Sequence, residues 1–124
     1  MFGPSERAAY LRHRDDFAQV MDPRLYTIEW LDLQLINGTY RLWASDNAAI
    51  IAGVKLYPTG AMDVEGIVAA GDAEEIVNIL IPQAEQWGRE NGCSGAIIES
   101  RPAWTRLLEP HGYQPHQIRI RKVF

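Results

Sequence analysis

AMDVEGIVAAGDAEEIVNILIPQAEQWGRENGCSGAIIES (61–100) is the stretch on which the fold turns. AMDVEGIVAAG (61–71) has the composition of a strand ended by a glycine, and DAEEIVNILIPQAEQWGRENG (72–92) follows at once as an amphipathic helix. Asp72 is placed to cap that helix. Glu74 and Glu75 sit in its first turn, each favourable with the helix dipole by roughly 0.3–1 kcal/mol. Ile76, Val77, Leu80, Ile81, Ala84, Trp87 and Gly88 form its apolar stripe, and Glu85, Gln86, Arg89 and Glu90 its wet face. Pro82 removes one hydrogen bond and crowds the carbonyl of Asn78, which predicts a kink near Asn78. GAIIES (95–100) is a second short strand. PAWTRLLEPHG (102–112) is a second helix, closed by Gly112. Strands joined by a crossover helix at this spacing pair in parallel, with the helix on one sheet face.

Upstream, Ser5 to Met21 reads as a helix with Ser5 as its N-cap and an apolar stripe of Ala9, Tyr10, His13, Phe17, Val20 and Met21. Asp22-Pro23 ends it, because the residue before proline is pushed out of the helical region. Thr27 is a second N-cap candidate. Ile28, Trp30, Leu31, Leu33 and Leu35 fit a short helix ended by Asn37-Gly38, although part of their alternation also permits a strand. YRLWAS (40–45) and AAIIAGVKLYP (48–58), divided by Asp46-Asn47, form a hairpin, and Pro58-Thr59-Gly60 turns the chain into residue 61. YQPHQIRIRKVF (113–124) is expected to be a final strand, broken near Pro115. The expected fold class is therefore α/β (α+β) in a single domain spanning 1–124: an antiparallel meander followed by a parallel β-α-β unit, with helices on both faces.

Composition narrows the function classes. A 47% hydrophobic, 23% charged chain is ordinary for a globular protein with one core. Twelve basic against 16 acidic residues give a net charge of −4, so no overall field favours nucleic acid or an anionic membrane. Arg119, Arg121 and Lys122 are the one local basic cluster. Cys93 stands alone, which leaves no internal disulfide and no metal-ligand partner. His13 lies on an apolar stripe, while His111 and His116 flank a turn, so no metal site is expected. No apolar leader or membrane-spanning run is visible, and an intracellular, cytoplasmic protein is the expectation.

The helix end RENGC (89–93) is similar to the "AxxxGC" helix end of the GCN5-related N-acetyltransferases, the GNAT superfamily, and LLEPHGY (107–113) resembles that family's "FYEKLGF". With the order of elements, the resemblance covers roughly residues 27–122. The short N-terminal part also looks like small GNAT-like proteins of tailed-phage and prophage genomes. The resemblance implies acetyl-CoA as acyl donor and a small-molecule or protein amine as acceptor. It implies that the pantetheine arm pairs with the strand before the long helix, at Ile67, Val68, Ala69, Ala70 and Gly71, and that the diphosphate lies on the helix N-terminus. The family's phosphate pattern, Q/R-x-x-G-x-G/A, falls on 72–77, where Asp72 takes the basic position and Glu75 and Val77 take the glycine positions. At an effective dielectric of about 20, a carboxylate roughly 5 Å from a phosphate charge costs about 3 kcal/mol before screening.

Candidate catalytic residues follow from the same comparison. The tyrosine of "FYEKLGF" falls on Leu108, and Tyr113 or Tyr57 is the nearest substitute as general acid. Asp63 and Glu65 share the strand face opposite Met62 and Val64, and Glu65 stands where many such enzymes carry a base; the simpler reading is the solvent side of a strand, and Glu99 invites the same pair of readings. Trp30, Trp43, Trp87 and Trp104 fall at core positions. Trp104, bracketed by Arg101 and Arg106 past a strand's C-terminal end, is also placed to stack a ring of the coenzyme, with Arg101 pairing Glu99 as the plainer alternative. Ser100 has no His and acid partners at useful spacing. Two hypotheses result: an acyl-CoA-dependent N-acyltransferase with a degenerate coenzyme site, or a non-catalytic binding or structural protein on the same fold, associated with a phage or prophage. Arg119 and Arg121 on a final edge strand also suggest a homodimer.

Overall fold

Pro4 starts helix α1 (Pro4–Val20) in the computed structural model, which describes residues 2–124. A proline suits the first helical position, where its missing N–H costs nothing and its φ is already set. The cap position belongs to Gly3 and no side chain caps the helix, so the expectation for Ser5 is corrected. Thr27 does cap helix α2 (Ile28–Ile36), its hydroxyl accepting the Trp30 N–H at 3.2 Å, and the helical reading of that stretch prevails over a strand. Ala9, Tyr10, His13 and Phe17 of α1 and Leu31 and Leu35 of α2 are buried. Arg14 clamps the two helices together, bonding both carboxylate oxygens of Asp32 at 2.9 and 2.7 Å, and the Tyr10 hydroxyl donates to the same group at 2.5 Å.

The sheet runs in the order β1 (Tyr40–Ala44), β2 (Ala48–Leu56), β3 (Met62–Gly71), β4 (Gly95–Ile98). The first three strands pair antiparallel, whereas β3 and β4 pair in parallel. Six successive residues of β2, Ala48 to Gly53, are buried, as a strand covered on both faces requires. Ala49 and Ile51 pack toward α1 and α2; Ala48 and Ile50 pack on the other face against Ile76, Leu80 and Ala84 of the crossover helix.

That crossover helix is continuous but not uniform: a first turn α3 (Ala73–Glu75), a π-helical segment (Ile76–Leu80) and α4 (Ile81–Glu90). The π segment is the form that the disturbance expected at Asn78 takes. Pro82 has no N–H to return and a ring that needs room, and widening the preceding turn gives it that room, with the Ile81 N–H reaching back to the Ile76 carbonyl. Farther along, a Cβ at Gly88 would collide with Val64 Cγ2, so α4 and β3 approach this closely only because residue 88 has none.

The C-terminal part departs most from expectation. The single helix expected over 102–112 is a short α5 (Trp104–Leu108) and a 3-10 turn (Glu109–His111) ended by Gly112. No final strand forms. Residues 114–124 carry no regular structure, and Ile118 and Ile120 are 85% and 90% exposed. β-forming composition alone does not order a segment that gains no ladder partner. Arg119 instead bonds Glu99 at 3.0 Å, in place of the pairing considered for Arg101. Among the described residues, no helix is long and apolar enough to cross a membrane.

Candidate functional site

The parallel ladder pairs Asp63, Val64, Glu65 and Gly66 of β3 with Gly95, Ala96, Ile97 and Ile98 of β4, and there it stops. β3 continues for five more residues, held by β2 alone. At the same place the β2–β3 register shifts: Ile51 faces Val68 and Ala52 faces Gly66, leaving Ile67 as an extra residue. Such a bulge resets the alternation of side chains. Ile67 and Val68 accordingly both pack on the α1/α2 side, with Ala69 on the crossover-helix side and Ala70 buried on the α1/α2 side again. The outward backbone of Ile67 to Gly71 therefore has no sheet neighbour, and these are five of the residues singled out from the sequence.

Glu65 is half-buried on β3, one residue before Gly66. Its face is the one shared with Asp63, whose carboxylate accepts the Tyr57 hydroxyl at 2.9 Å. That bond, burial and the charges of Asp63 and Glu65 push the Tyr57 phenol above its usual range; burial and then Glu65 do the same to Tyr40. Two carboxylates and two phenols thus share the α1/α2 side of the point where the strands part, an environment suited to a cationic amine. Tyr113 stands on the other side, in a groove it lines with Gly66, Ala96 and Ile98. Its hydroxyl donates to Glu85 at 2.6 Å, and burial followed by that carboxylate raises the phenol strongly. Leu108, at the family's tyrosine position, is buried.

The tip of the crossover helix is bound internally. Asp72 Oδ1 accepts the Glu75 N–H at 2.9 Å, and the Asp72 N–H itself donates to the Asn47 carbonyl at 2.9 Å. Glu75 reaches across to the β1–β2 turn, accepting the Ser45 hydroxyl at 2.6 Å and two Asn47 N–H groups at 3.0 Å each. Those donors, the Ser45 hydroxyl first, hold its carboxyl below the usual range. Gly71, at φ +102°, passes so near Asn47 that any Cβ would strike the Asn47 carbonyl. Its glycine serves this close turn.

Trp104 packs against the Ile50, Ile76 and Leu80 cluster rather than standing free. The Cys93 thiol is pushed up by burial and by Asp63, the opposite of an activated nucleophile. Among the described residues no group of three His, Cys, Asp or Glu side chains is placed to hold a metal. One cluster went unread in the sequence: Arg41 lies 6.0 Å from the Trp43 ring and 5.7 Å from the Trp87 ring, capping two indoles packed edge to face. The i, i+2 spacing of Arg41 and Trp43 on a strand was the available signal.

No protein-family model and no curated protein matches the sequence. Solved structures do match the fold. A GCN5-related N-acetyltransferase from Ralstonia eutropha superposes with a TM-score of 0.69 at 16% identity, covering 94% of this chain and 91% of that one. Glucosamine-6-phosphate N-acetyltransferase from Arabidopsis thaliana gives 0.69 at 11% identity over 97% and 92%. A predicted acetyltransferase from Clostridium acetobutylicum, solved with acetyl-CoA, gives 0.65 at 11% identity over 93% and 86%. The mixed sheet with its antiparallel and parallel pairs is the fold of these acetyltransferases.

Proposed function

We propose that this chain is an N-acyltransferase of the GNAT superfamily, moving an acyl group from an acyl-CoA thioester to the amine of a small molecule or a protein. One observation carries the reading: the five-residue edge Ile67–Gly71 opens at the bulge where β3 and β4 part. Its free N–H and C=O groups suit the two amides of a pantetheine arm, which would add to β3 as a short strand. Glu65 and Tyr113 flank this point from opposite faces.

In this reading Glu65 takes a proton from the acceptor ammonium. The freed amine nitrogen bonds to the thioester carbonyl carbon as the carbon–sulfur bond breaks, the nitrogen sheds its second proton to water to leave the neutral amide, and the departing thiolate takes a proton either from water or from Tyr113, which then recovers one from water. Tyr113 is a weak acid for that step, because deprotonation leaves a phenolate facing Glu85. Ile67 to Ala70 would hold the thioester arm. The diphosphate end fits poorly: Asp72, Glu74 and Glu75 surround the helix tip, and the Glu75 N–H is already taken.

That mismatch favours a second reading, in which the same fold binds a partner without catalysis, as a phage- or prophage-associated protein could. Calorimetric titration with acetyl-CoA at low salt separates them. A micromolar dissociation constant supports acyl transfer, whereas no heat at millimolar ligand overturns it.

A further inference from the structure

Four residues stand in one row across the sheet: Tyr40 of β1, Gly53 of β2, Glu65 of β3 and Ile97 of β4. Residues paired directly across strands point to the same face, which here is the α1/α2 side. Gly53 is the low point of that row. A Cβ there would lie 2.5 Å from Tyr40 Cδ1 and 2.9 Å from Tyr40 Cε1, so the Tyr40 ring leans across β2 into the space that a side chain at 53 would fill. The ring is thereby brought toward Glu65, whose charge adds to burial in raising the Tyr40 phenol.

Behind Tyr40 the aromatic surface continues. The Trp30 ring meets it edge to face at 5.7 Å, and Tyr26, on the connection between α1 and α2, lies 5.2 Å from Trp30 with 45% of its surface exposed. Tyr40 and Trp30 are half-buried, so these rings are neither sealed in the core nor free in water. The run ends beside a carboxylate, one residue from the point where the β2–β3 register shifts and the β3–β4 ladder stops.

The charges on this face select one ammonium group. Asp63, in the next row, faces Lys55 across the β2–β3 ladder and accepts the Tyr57 hydroxyl at 2.9 Å. Glu65 has no cation in its own row, where its neighbours are Gly53 and Ile97. One carboxylate is thus answered within the chain and the other is left to a ligand. A polyamine gains little from such a pair, because Lys55 stands where its second cation would go. A single ammonium followed by a flat apolar body meets first the carboxylate and then the rings. Adjacent strands lie about 4.8 Å apart, so one strand's width separates Glu65 from a ring lying over Gly53, and a two-carbon arm spans it.

We infer that the acceptor is a primary amine joined by a short arm to one aromatic ring, its ammonium at Glu65 and its ring over Gly53 against Tyr40 and Trp30. The inference rests on the acyl-transfer reading for the fate of that amine. It makes Tyr40 and Gly53 the residues that choose the acceptor: Tyr40 supplies the ring contact, and Gly53 keeps the floor beneath it clear.

Binding of amines in the absence of acetyl-CoA separates this inference from acyl transfer itself, which the coenzyme titration tests. 2-Phenylethylamine, hexylamine and spermidine are titrated in turn into the nitrogen-15-labelled full chain, with the Trp30 indole N–H as reporter. 2-Phenylethylamine should shift that resonance saturably and bind about tenfold more tightly than either of the other two. Tyr40→Leu should abolish the preference while leaving hexylamine affinity within about threefold, and Tyr40→Phe should keep it. Gly53→Ala, which retains the tyrosine but fills its floor, should abolish it as well, with an unchanged far-ultraviolet circular dichroism spectrum. Hexylamine or spermidine binding as tightly as 2-phenylethylamine, a preference that survives Tyr40→Leu or Gly53→Ala, or a Trp30 resonance that stays fixed at millimolar 2-phenylethylamine would each overturn it.

Discussion

The carboxylate of Glu75 accepts both the backbone N–H and the side-chain amide of Asn47, each at 3.0 Å, across 28 residues of sequence. The bond fastens the start of the crossover helix to the β1–β2 turn. Its carboxyl is depressed by the Ser45 hydroxyl and then by Asn47, from an ordinary value of 4.5. A carboxyl depressed in the folded state contributes stability that is fully present above its unfolded pKa and lost as pH falls through the folded one. Thermal melts between pH 3 and pH 7 should therefore show a loss beginning below about pH 4.5. Glu75→Ala should melt lower at pH 7 and show a smaller further loss in acid; an unchanged acid profile would show that the bond adds nothing.

Glu74 lies in the first turn of the same helix tip and, among the described residues, takes no part in the bonds that Asp72 and Glu75 make there, so it can be neutralised without disturbing the clasp. A carboxylate roughly 5 Å from a phosphate in water opposes it by about 0.8 kcal/mol before salt screening. Glu74→Gln should tighten acetyl-CoA binding by about two- to fourfold at low salt, with the gain fading as salt is added. Calorimetry at two ionic strengths checks this, and a weaker or unchanged affinity at low salt would place the diphosphate elsewhere.

Glu65 and Tyr113 should differ in how much they matter. Glu65→Gln removes the base and should lower kcat/KM by about 10²–10⁴-fold, followed as thiol release from acetyl-CoA in the presence of an amine. Tyr113→Phe keeps the ring in its groove and should cost about 10²-fold or less, because its proton is already engaged by Glu85. A larger loss in Tyr113→Phe than in Glu65→Gln would reverse the assignment of the stronger role, and equal losses would remove the distinction.

The Gly88–Val64 contact sets the distance between α4 and β3. Alanine normally favours a helix over glycine by about 1 kcal/mol. Here the added methyl meets Val64 Cγ2, and overpacking of this kind typically costs about 1–3 kcal/mol. Gly88→Ala should therefore destabilise the protein in urea unfolding. Adding Val64→Ala should cost less than the sum of the two single changes; strict additivity would mean that the two groups do not compete for one space.

What the sequence disclosed was local. Asp72 as a cap, the stripe from Ile76 to Gly88 and the turn at Asp46-Asn47 each depend on neighbours within a few residues, and the parallel β-α-β unit followed from their order. Pro82 announced a disturbance, but whether the helix would kink or widen into a π segment depended on packing against Ile50 and Ala48. The bulge at Ile67 left no mark in EGIVAAG, because it is a mismatch of register with β2. Glu75 read as a helix-dipole residue, since nothing near it in sequence names Ser45 or Asn47. The final segment was misread for the complementary reason: IRIR at 118–121 carries the alternation of a strand, but alternation does not supply the neighbour that makes one.

The central claim is that the open backbone of Ile67–Gly71 receives a thioester arm. Amide chemical shifts in nitrogen-15-labelled protein, followed while acetyl-CoA is added, test it most directly. The account predicts the largest, saturable changes at Ile67, Val68, Ala69, Ala70 and Gly71, with Glu65 and Gly66 moving beside them. Resonances that stay fixed there at millimolar acetyl-CoA, or that move only elsewhere on the surface, would contradict it.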